Sequence, residues 1–478
     1  MEDFLTSFFV APFTGLATGI ASATSPLDVI DAVDGFVRGP IMILLLLFTH
    51  IFMTVRTGFI QRKLGTGIKM SVTKDDPSDA SGDITQFGAL TTALAATIGT
   101  GNIVGVGTGL LFGGPGAIFW MWLSAFFGMA TIYGEATLAQ KYRRVVDGEL
   151  TGGPVYYIKE KFHGVFGNLL AGFFAIALIL ALGFMGNMVQ SNSISDAFQT
   201  AFHVPGLAVG IVVAAISAFI FLGGKKYIVS VTEKVVPVMA VLYVLGSLIV
   251  LVVNWRNLGT AFAQIFVLAF DPQAMAGGVA GVTVREAIRF GVARGLFSNE
   301  AGMGSTPHAH ALAKVEHPCD QGVVAMIGVF IDTFVVLTMT ALVILSAGST
   351  SLTDANGVPL TAAPLAQAAF NSVFGEFGNV FIAICMLFFA FSTIIGWYFF
   401  GETNVKYLFG KKAVPVYAAL VIVFVVLGSL MKVDLVWALS DMFNSLMVLP
   451  NLIGVLALTA VVVKLSKEHD VLRKKPGK

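Results

Sequence analysis

Residues 95–107 read A-A-T-I-G-T-G-N-I-V-G-V-G within an apolar stretch, 84–112, that is otherwise long enough to cross a membrane as one helix. Gly99, Gly101 and Asn102 are poor helix formers, and clustered at mid-span they predict an unwound break. In hydrocarbon each unpaired backbone N–H or C=O costs several kcal/mol, so a chain unwinds there only where protein or a water-filled cavity satisfies the freed groups. The break therefore points to a binding site. The competing reading, glycines that merely let two helices pack closely, leaves the neighbouring polar atoms without a purpose.

A membrane setting follows from composition. Of 478 residues 56% are hydrophobic and only 12% charged, half the roughly 25% of soluble domains, and the mean hydropathy is +0.84. A net charge of +1 leaves no basic face for nucleic acid. The two cysteines, Cys319 and Cys385, form neither a disulfide framework nor a metal spacing. Residues 1–34 read as a short acidic amphipathic lead-in without the basic start of a secretory signal.

Apolar stretches near the ~20 residues a bilayer requires fall at about 35–59, 84–112, 116–141, 166–192, 206–222, 228–253, 284–312, 321–347, 377–408, 413–431 and 433–463. Residues 61–82 read as a basic polar loop, 142–163 and 254–280 as connections, and 362–374 as a short helix outside the membrane. With about eleven spans the basic residues alternate by side. Arg62, Lys63, Lys69, Lys74, the cluster from Lys141 to Lys161, Lys225, Lys226, Lys314, Lys411, Lys412 and the 464–478 tail share one side, and the other holds little beyond Arg38, Arg256 and Lys432. This predicts a multi-pass cell-membrane protein with its N-terminus outside and its C-terminus cytoplasmic.

A second interrupted span lies at 287–312, where Ser298, Asn299, Glu300, Gly302, Gly304, Ser305 and Pro307 follow closely. Spans 2–6 and 7–11 then form two five-span units, each opening on a broken helix. An odd number of spans per unit inverts one against the other. Paired broken helices in inverted repeats are the sequence pointer to a secondary transporter with its site at the bilayer midplane. The expected organisation is 1–83 (N-terminal segment, first span and loop), 84–256 (first repeat), 257–463 (connection and second repeat) and 464–478 (basic tail).

The sequence resembles the alanine or glycine:cation symporters, within the larger group sharing the leucine-transporter-type fold. The resemblance rests on G-G-P-G-A-I-F-W-M-W-L-S-A-F-F-G at 113–128, G-L-F-S-N-E-A-G-M-G-S at 295–305, the A-T-I-G-T-G-N-I-V-G-V-G stretch and T-G-G-P-V-Y-Y-I at 151–158. It implies an all-α polytopic protein with one helix ahead of a five-plus-five core, taking up alanine or glycine with sodium.

A zwitterionic amino acid needs donors for its carboxylate and acceptors for its ammonium, and broken helices expose both. The amides of Thr100, Gly101 and Asn102 are candidates for the carboxylate, and carbonyls at 96–98 for ammonium or sodium. Ser298 and Asn299 would complete the ammonium site or simply cap half-helices. In the ninth span Ser392 and Thr393 offer adjacent hydroxyls to a hard cation, or bond back to their own helix. The fold resemblance adds the carbonyls of Ala95, Ile98 and Phe389 to that cation site. Gln190, on one face with Asn187 and Ser191, would contact substrate or tie two helices together. Trp397, one turn beyond Thr393, would wall the side-chain pocket or serve packing.

Charges within or near spans, Glu135, Glu233, Lys234, Asp332 and Glu402, are functional candidates by default. Asp332 would carry protons or hold the bundle together, so proton-coupled or exchange transport on the same fold is the alternative. His308, His310, His317 and Cys319 lack a zinc spacing. No HExxH, G-x-S-x-G or P-loop occurs, which argues against an enzyme and against direct ATP coupling. Sodium is expected as the co-transported ion, with no organic cofactor and no obligate protein partner.

Overall fold

The computed structural model describes residues 40–72, 81–271, 283–353 and 362–473, with residue 360 and a few isolated positions before residue 40. Most of the expected lead-in, Arg38, Lys74 and the chain after 473 lie outside the described residues.

The described chain is helical apart from one small hairpin. Helix α1 (Pro40–Arg56) turns sharply at Phe59, a left-handed residue with φ 57°, into a 3-10 turn and α2 (Leu64–Val72); the bend is 65°. The first interrupted span is α3 (Gln86–Thr97) and α4 (Val104–Gly113), joined by the 3-10 turn Thr100–Asn102. Then come α5 (Gly116–Lys141), the hairpin β1 (Arg144–Val146) and β2 (Glu149–Thr151), and α6 (Pro154–Lys161). Helix α7 (Gly164–Phe202) carries a π segment at Ile179–Gly186. Helices α8 (Gly206–Leu222), α9 (Gly224–Val253) and α10 (Trp255–Val267) lead to the second interrupted span, α11 (Val284–Asn299) and α12 (Pro307–His310). The chain continues through α13 (Pro318–Ser346), α14 (Ala362–Phe374), α15 (Phe377–Phe409), α16 (Val414–Gly428), α17 (Val433–Ala457) and α18 (Thr459–Arg473).

Among the described residues seven helices are long and apolar enough to cross a membrane, or eight if the bent α1–α2 pair counts as one span. The two interrupted spans fall short because each is split, and α8 because it has only 17 residues. The outer faces of α8 and α9 are lipid-like: Ile211, Phe219, Val238 and Val252 are exposed. The core instead gathers around α5, which packs on α1, α11 and α13, and α15, which packs on α3, α7 and α14.

Three local expectations change. The first part of the polar loop at 61–82 is helical through Val72, because Gln61 turns inward and donates to Thr54 Oγ1 (2.9 Å) and the Phe126 carbonyl (2.9 Å). The second interrupted span has only a single helical turn after its break. Glu300, Gly302 and Gly304 are left-handed (φ 57°, 91° and 77°) and Pro307 starts the short turn, so three positions in five depart from helical geometry. The basic stretch after 463 is, through Arg473, part of a docked helix. Ser466 meets the Tyr133 hydroxyl (2.6 Å), Asp320 accepts from Arg473 (2.9 Å) and pairs with His469 (2.8 Å), and Lys63 pairs with Asp470.

One end of the bundle is knit by polar contacts between elements far apart in sequence. Lys225 pairs with Asp83 (2.7 Å), Arg143 donates to Ser81 and Ala313, and Glu149 receives Lys406 and Lys411 (3.0 and 2.5 Å). Ile84 and Ala313 form a parallel bridge, which joins the start of the first interrupted span to the end of the second.

Candidate functional site

The first break is held by its own side chains. Ile98 leaves helical geometry (φ −78°, ψ 84°), and the Gly99 amide donates to Asn102 Oδ1 (3.0 Å). The Thr100 amide, expected to be open to a ligand, donates to Gln190 Oε1 (3.1 Å). Gln190 thus ties α7 to the break, while its own Nε2 is buried with no partner among the described residues, as are Thr100 Oγ1, Asn187 Oδ1 and Ser191 Oγ. Buried polar atoms normally find partners. Two of these atoms belong to Thr100 and Gln190, which meet at the break, and Asn187 and Ser191 share Gln190's face of α7.

The carbonyls freed at the end of α3 face α15. Ala95 O accepts from Thr393 Oγ1 (2.9 Å) and Ser392 Oγ (3.3 Å), and Ile98 O lies 3.5 Å from Thr393 Oγ1. Both hydroxyls also lie within 3.0 Å of Phe389 O. The back-bonding reading and the cross-helix reading therefore describe the same two side chains. Five buried oxygens from two helices share one spot with no nitrogen among them. A hard cation at roughly 2.4 Å from its ligands would space neighbouring oxygens by about 3.4 Å. The observed 2.9–3.5 Å needs only the hydroxyl hydrogens to turn away and the shell to loosen slightly.

The second break meets the first directly. A Cβ on Gly101 would stand 3.1 Å from Ser298 Cα and 3.2 Å from the Phe297 ring. Ser298 Oγ donates to the Asp332 carboxylate (2.8 and 3.0 Å), as does Asn102 Nδ2 (2.7 Å), with Thr333 Oγ1 at 3.0 Å. Asp332 is completely buried and clamps both breaks to the π segment of α13 at Phe330–Leu337. Asn299 caps instead: its Oδ1 accepts from the Ala301 amide (3.0 Å), and its Nδ2 donates to Thr333 Oγ1 (3.2 Å). The Phe297 ring packs edge-on against Trp397 (5.8 Å) and tilted against Trp437 (4.8 Å).

Two features were not singled out from sequence. Glu300, wholly buried, accepts from Trp397 Nε1 (2.6 Å) and from Ser305 Oγ, so it links the second break to α15. The signal was present: a carboxylate inside an interrupted span, hidden among the residues read as the break itself. The buried pair of Arg294 and Asp441 (3.1 and 2.9 Å), with the guanidinium 4.6 Å from the Trp437 ring, left no trace in spacing because 147 residues separate its members.

Of the other charged residues, Glu135 accepts from Asn451 Nδ2 and from the Gly302 amide (3.1 Å), which moors the loop after the second break to α5 and α17. His308 lies between the Ser305 carbonyl (2.6 Å) and Asn404 Nδ2 (2.9 Å), and His310 meets Gln321 (2.8 Å). These histidines serve the same loop.

A family model described as the sodium:alanine symporter family matches residues 23–478. The sodium/alanine symporter AgcS of Methanococcus maripaludis is 44% identical over 95% of this chain and 99% of its own length. The amino-acid carrier protein AlsT of Bacillus subtilis is 40% identical over 89% and 88%. Among solved structures, a manganese transporter of Eremococcus coleocola shares the fold at a TM-score of 0.52 and 14% identity, with 82% of each chain covered. With a match over nearly its whole length, this multi-pass chain belongs to the sodium:alanine symporter family, a family of transporters and not of enzymes.

Proposed function

We propose that the chain moves a small neutral amino acid, alanine or glycine, into the cell together with sodium, by alternating access. The observation that carries this reading is the five-oxygen cluster of Ala95, Ile98, Phe389, Ser392 and Thr393 beside the first break. The substrate lies next to it, among Thr100, Gly101, Asn102, Gln190, Ser298 and Asn299, with Trp397 and Phe297 walling the side-chain end. Ligand binding replaces the internal bonds that now occupy the Thr100 amide and the Ser298 hydroxyl. The names of the relatives in Methanococcus and Bacillus support a sodium-coupled amino-acid carrier.

The frame we propose is leucine-transporter-type: eleven spans, with 84–256 and 257–463 as inverted repeats. The end that gathers the basic loops would face the cytoplasm of a plasma-membrane protein, the side the positive-inside rule assigns to them. Sodium at α3 and α15 would bind the broken helix to the straight one and so stabilise the substrate-ready break. Alternatively, protons or exchange drive transport through Asp332, which is buried between both breaks. Purified protein in liposomes separates the two. At fixed pH, alanine uptake should require an inward sodium gradient; uptake driven by a pH gradient with sodium absent would establish the alternative.

The contact between the breaks gives a second expected result. Gly101→Leu should push α4 and α11 apart, an overpacking cost of about 1–3 kcal/mol, and weaken alanine binding by roughly 5- to 150-fold while the protein stays monodisperse. A binding assay that returns the parent's affinity would separate this contact from the substrate site.

A further inference from the structure

Beneath the hairpin lies a partly open cleft, with about 600 Å³ of space between atoms that includes open solvent. Glu149 of β2, Lys225, Glu402 and Lys406 line it together with the buried His308 and Phe399. Phe399 is six residues along α15 from Thr393, about 9 Å at helical rise. Phe399 is thus the lining residue of α15 nearest in sequence to the five-oxygen cluster. The hairpin and its ion pairs form one wall of the cleft.

The hairpin is held mainly by charge. Residues of β1 are exposed and those of β2 only half-buried, with Leu150 as its partly buried apolar contact to the core. Glu149 receives Lys406 at the far end of α15 and Lys411 just beyond that helix, while Lys225 at the start of α9 bonds both the Leu150 carbonyl (3.3 Å) and Asp83, just ahead of α3. The hairpin therefore contacts α15 directly through Lys406, and Lys225 links it to Asp83 ahead of α3. Half-exposed ion pairs of this kind are individually weak and sensitive to salt, as a contact that must release in every cycle has to be.

We propose that this cavity is the inner antechamber of the transport path and that the β1–β2 hairpin is its door, latched by Glu149 on Lys406 and Lys411. Lys411, and after it Lys406, hold the Glu149 carboxyl down at about 2. With Lys225, Glu402, Asp147 and Asp83 the other charged groups around it, the latch stays ionised at cellular pH and yields to movement of α15, not to protonation. The proposal rests on the transporter reading, but its labelling test needs no transport, so the two can fail separately.

The test starts from full-length protein with Cys319→Ser and Cys385→Ser, which removes both buried native thiols, and adds Thr403→Cys on the cavity wall as reporter. With no amino acid present, a charged maleimide should label this cysteine slowly at low salt and faster as salt rises. Adding Glu149→Gln should raise the low-salt rate at least tenfold and flatten the salt dependence. Equal rates and equal salt curves for parent and Glu149→Gln would overturn the latch. A second pair, Glu149→Cys with Lys406→Cys on the same background without the reporter, guards against a folding defect. Cross-linking with a bis-methanethiosulfonate, which spans the length of the two replaced side chains, should stop uptake and reductant should restore it, whereas full uptake by the cross-linked protein would show that the hairpin is no door.

Discussion

Ser392→Ala combined with Thr393→Ala should nearly abolish the sodium dependence of alanine binding. The two hydroxyls supply two of the five oxygens at the junction of α3 and α15 and are the only ones a substitution can delete, since Ala95, Ile98 and Phe389 contribute carbonyls. Sodium and amino acid tighten each other's binding by the same factor, so losing the ion site must appear as lost coupling. Thr393→Ala alone should raise the sodium concentration for half-maximal alanine binding and leave affinity at saturating sodium much less changed, with Ser392→Ala acting alike. The energetic demand is modest. One charge moving inward down about 100 mV yields ~2.3 kcal/mol and a tenfold sodium gradient ~1.4 kcal/mol, together enough for roughly 500-fold accumulation of a neutral zwitterion. If both single variants and the double variant keep the parent's sodium titration, the hydroxyls only bond back within α15.

The largest expected effect on stability comes from Asp441→Ala. Asp441 accepts from both terminal guanidinium nitrogens of Arg294, Nη1 and Nη2, and both side chains are buried, at 7% and 8% exposure. Removing one partner of such a pair leaves an unpaired charge in a low dielectric, which costs about 3–5 kcal/mol; the Trp437 ring, worth ~2 kcal/mol to a desolvated cation, softens but does not cancel that cost. The sign should change when both charges go. Arg294→Met with Asp441→Leu keeps volume, removes the desolvation penalty and should be neutral or more stable than the parent. Thermal unfolding in detergent reads both. A single variant as stable as the parent would mean that water reaches the pair.

Both breaks were legible from local chemistry. Gly99, Gly101 and Asn102 in one span, and Gly302, Gly304 and Pro307 in the other, change backbone preference where they stand. A bilayer permits such residues at mid-span only where neighbours satisfy the freed groups. The long apolar helices were legible for the same local reason, since length and hydropathy belong to the segment itself. The end of the second interrupted span was harder to read, because three left-handed residues and a proline shorten what hydropathy alone extends to residue 312.

What the sequence determined by itself was therefore the membrane class, the places where helices stop and the residue types offered there. Tertiary structure decided which partner each polar group took. Thr393 finds Ala95 at a separation of 298 residues and Asn102 finds Asp332 at 230. Asn299 caps its own helix end with its oxygen and reaches Thr333 with its nitrogen, whereas Ser298 beside it directs its hydroxyl to Asp332 on the same neighbouring helix. A serine or asparagine in a span looks the same in sequence whether it bonds within its own turn or across to a neighbour. Helix rotation and packing distance settle that choice, and both are set by contacts among residues hundreds of positions apart.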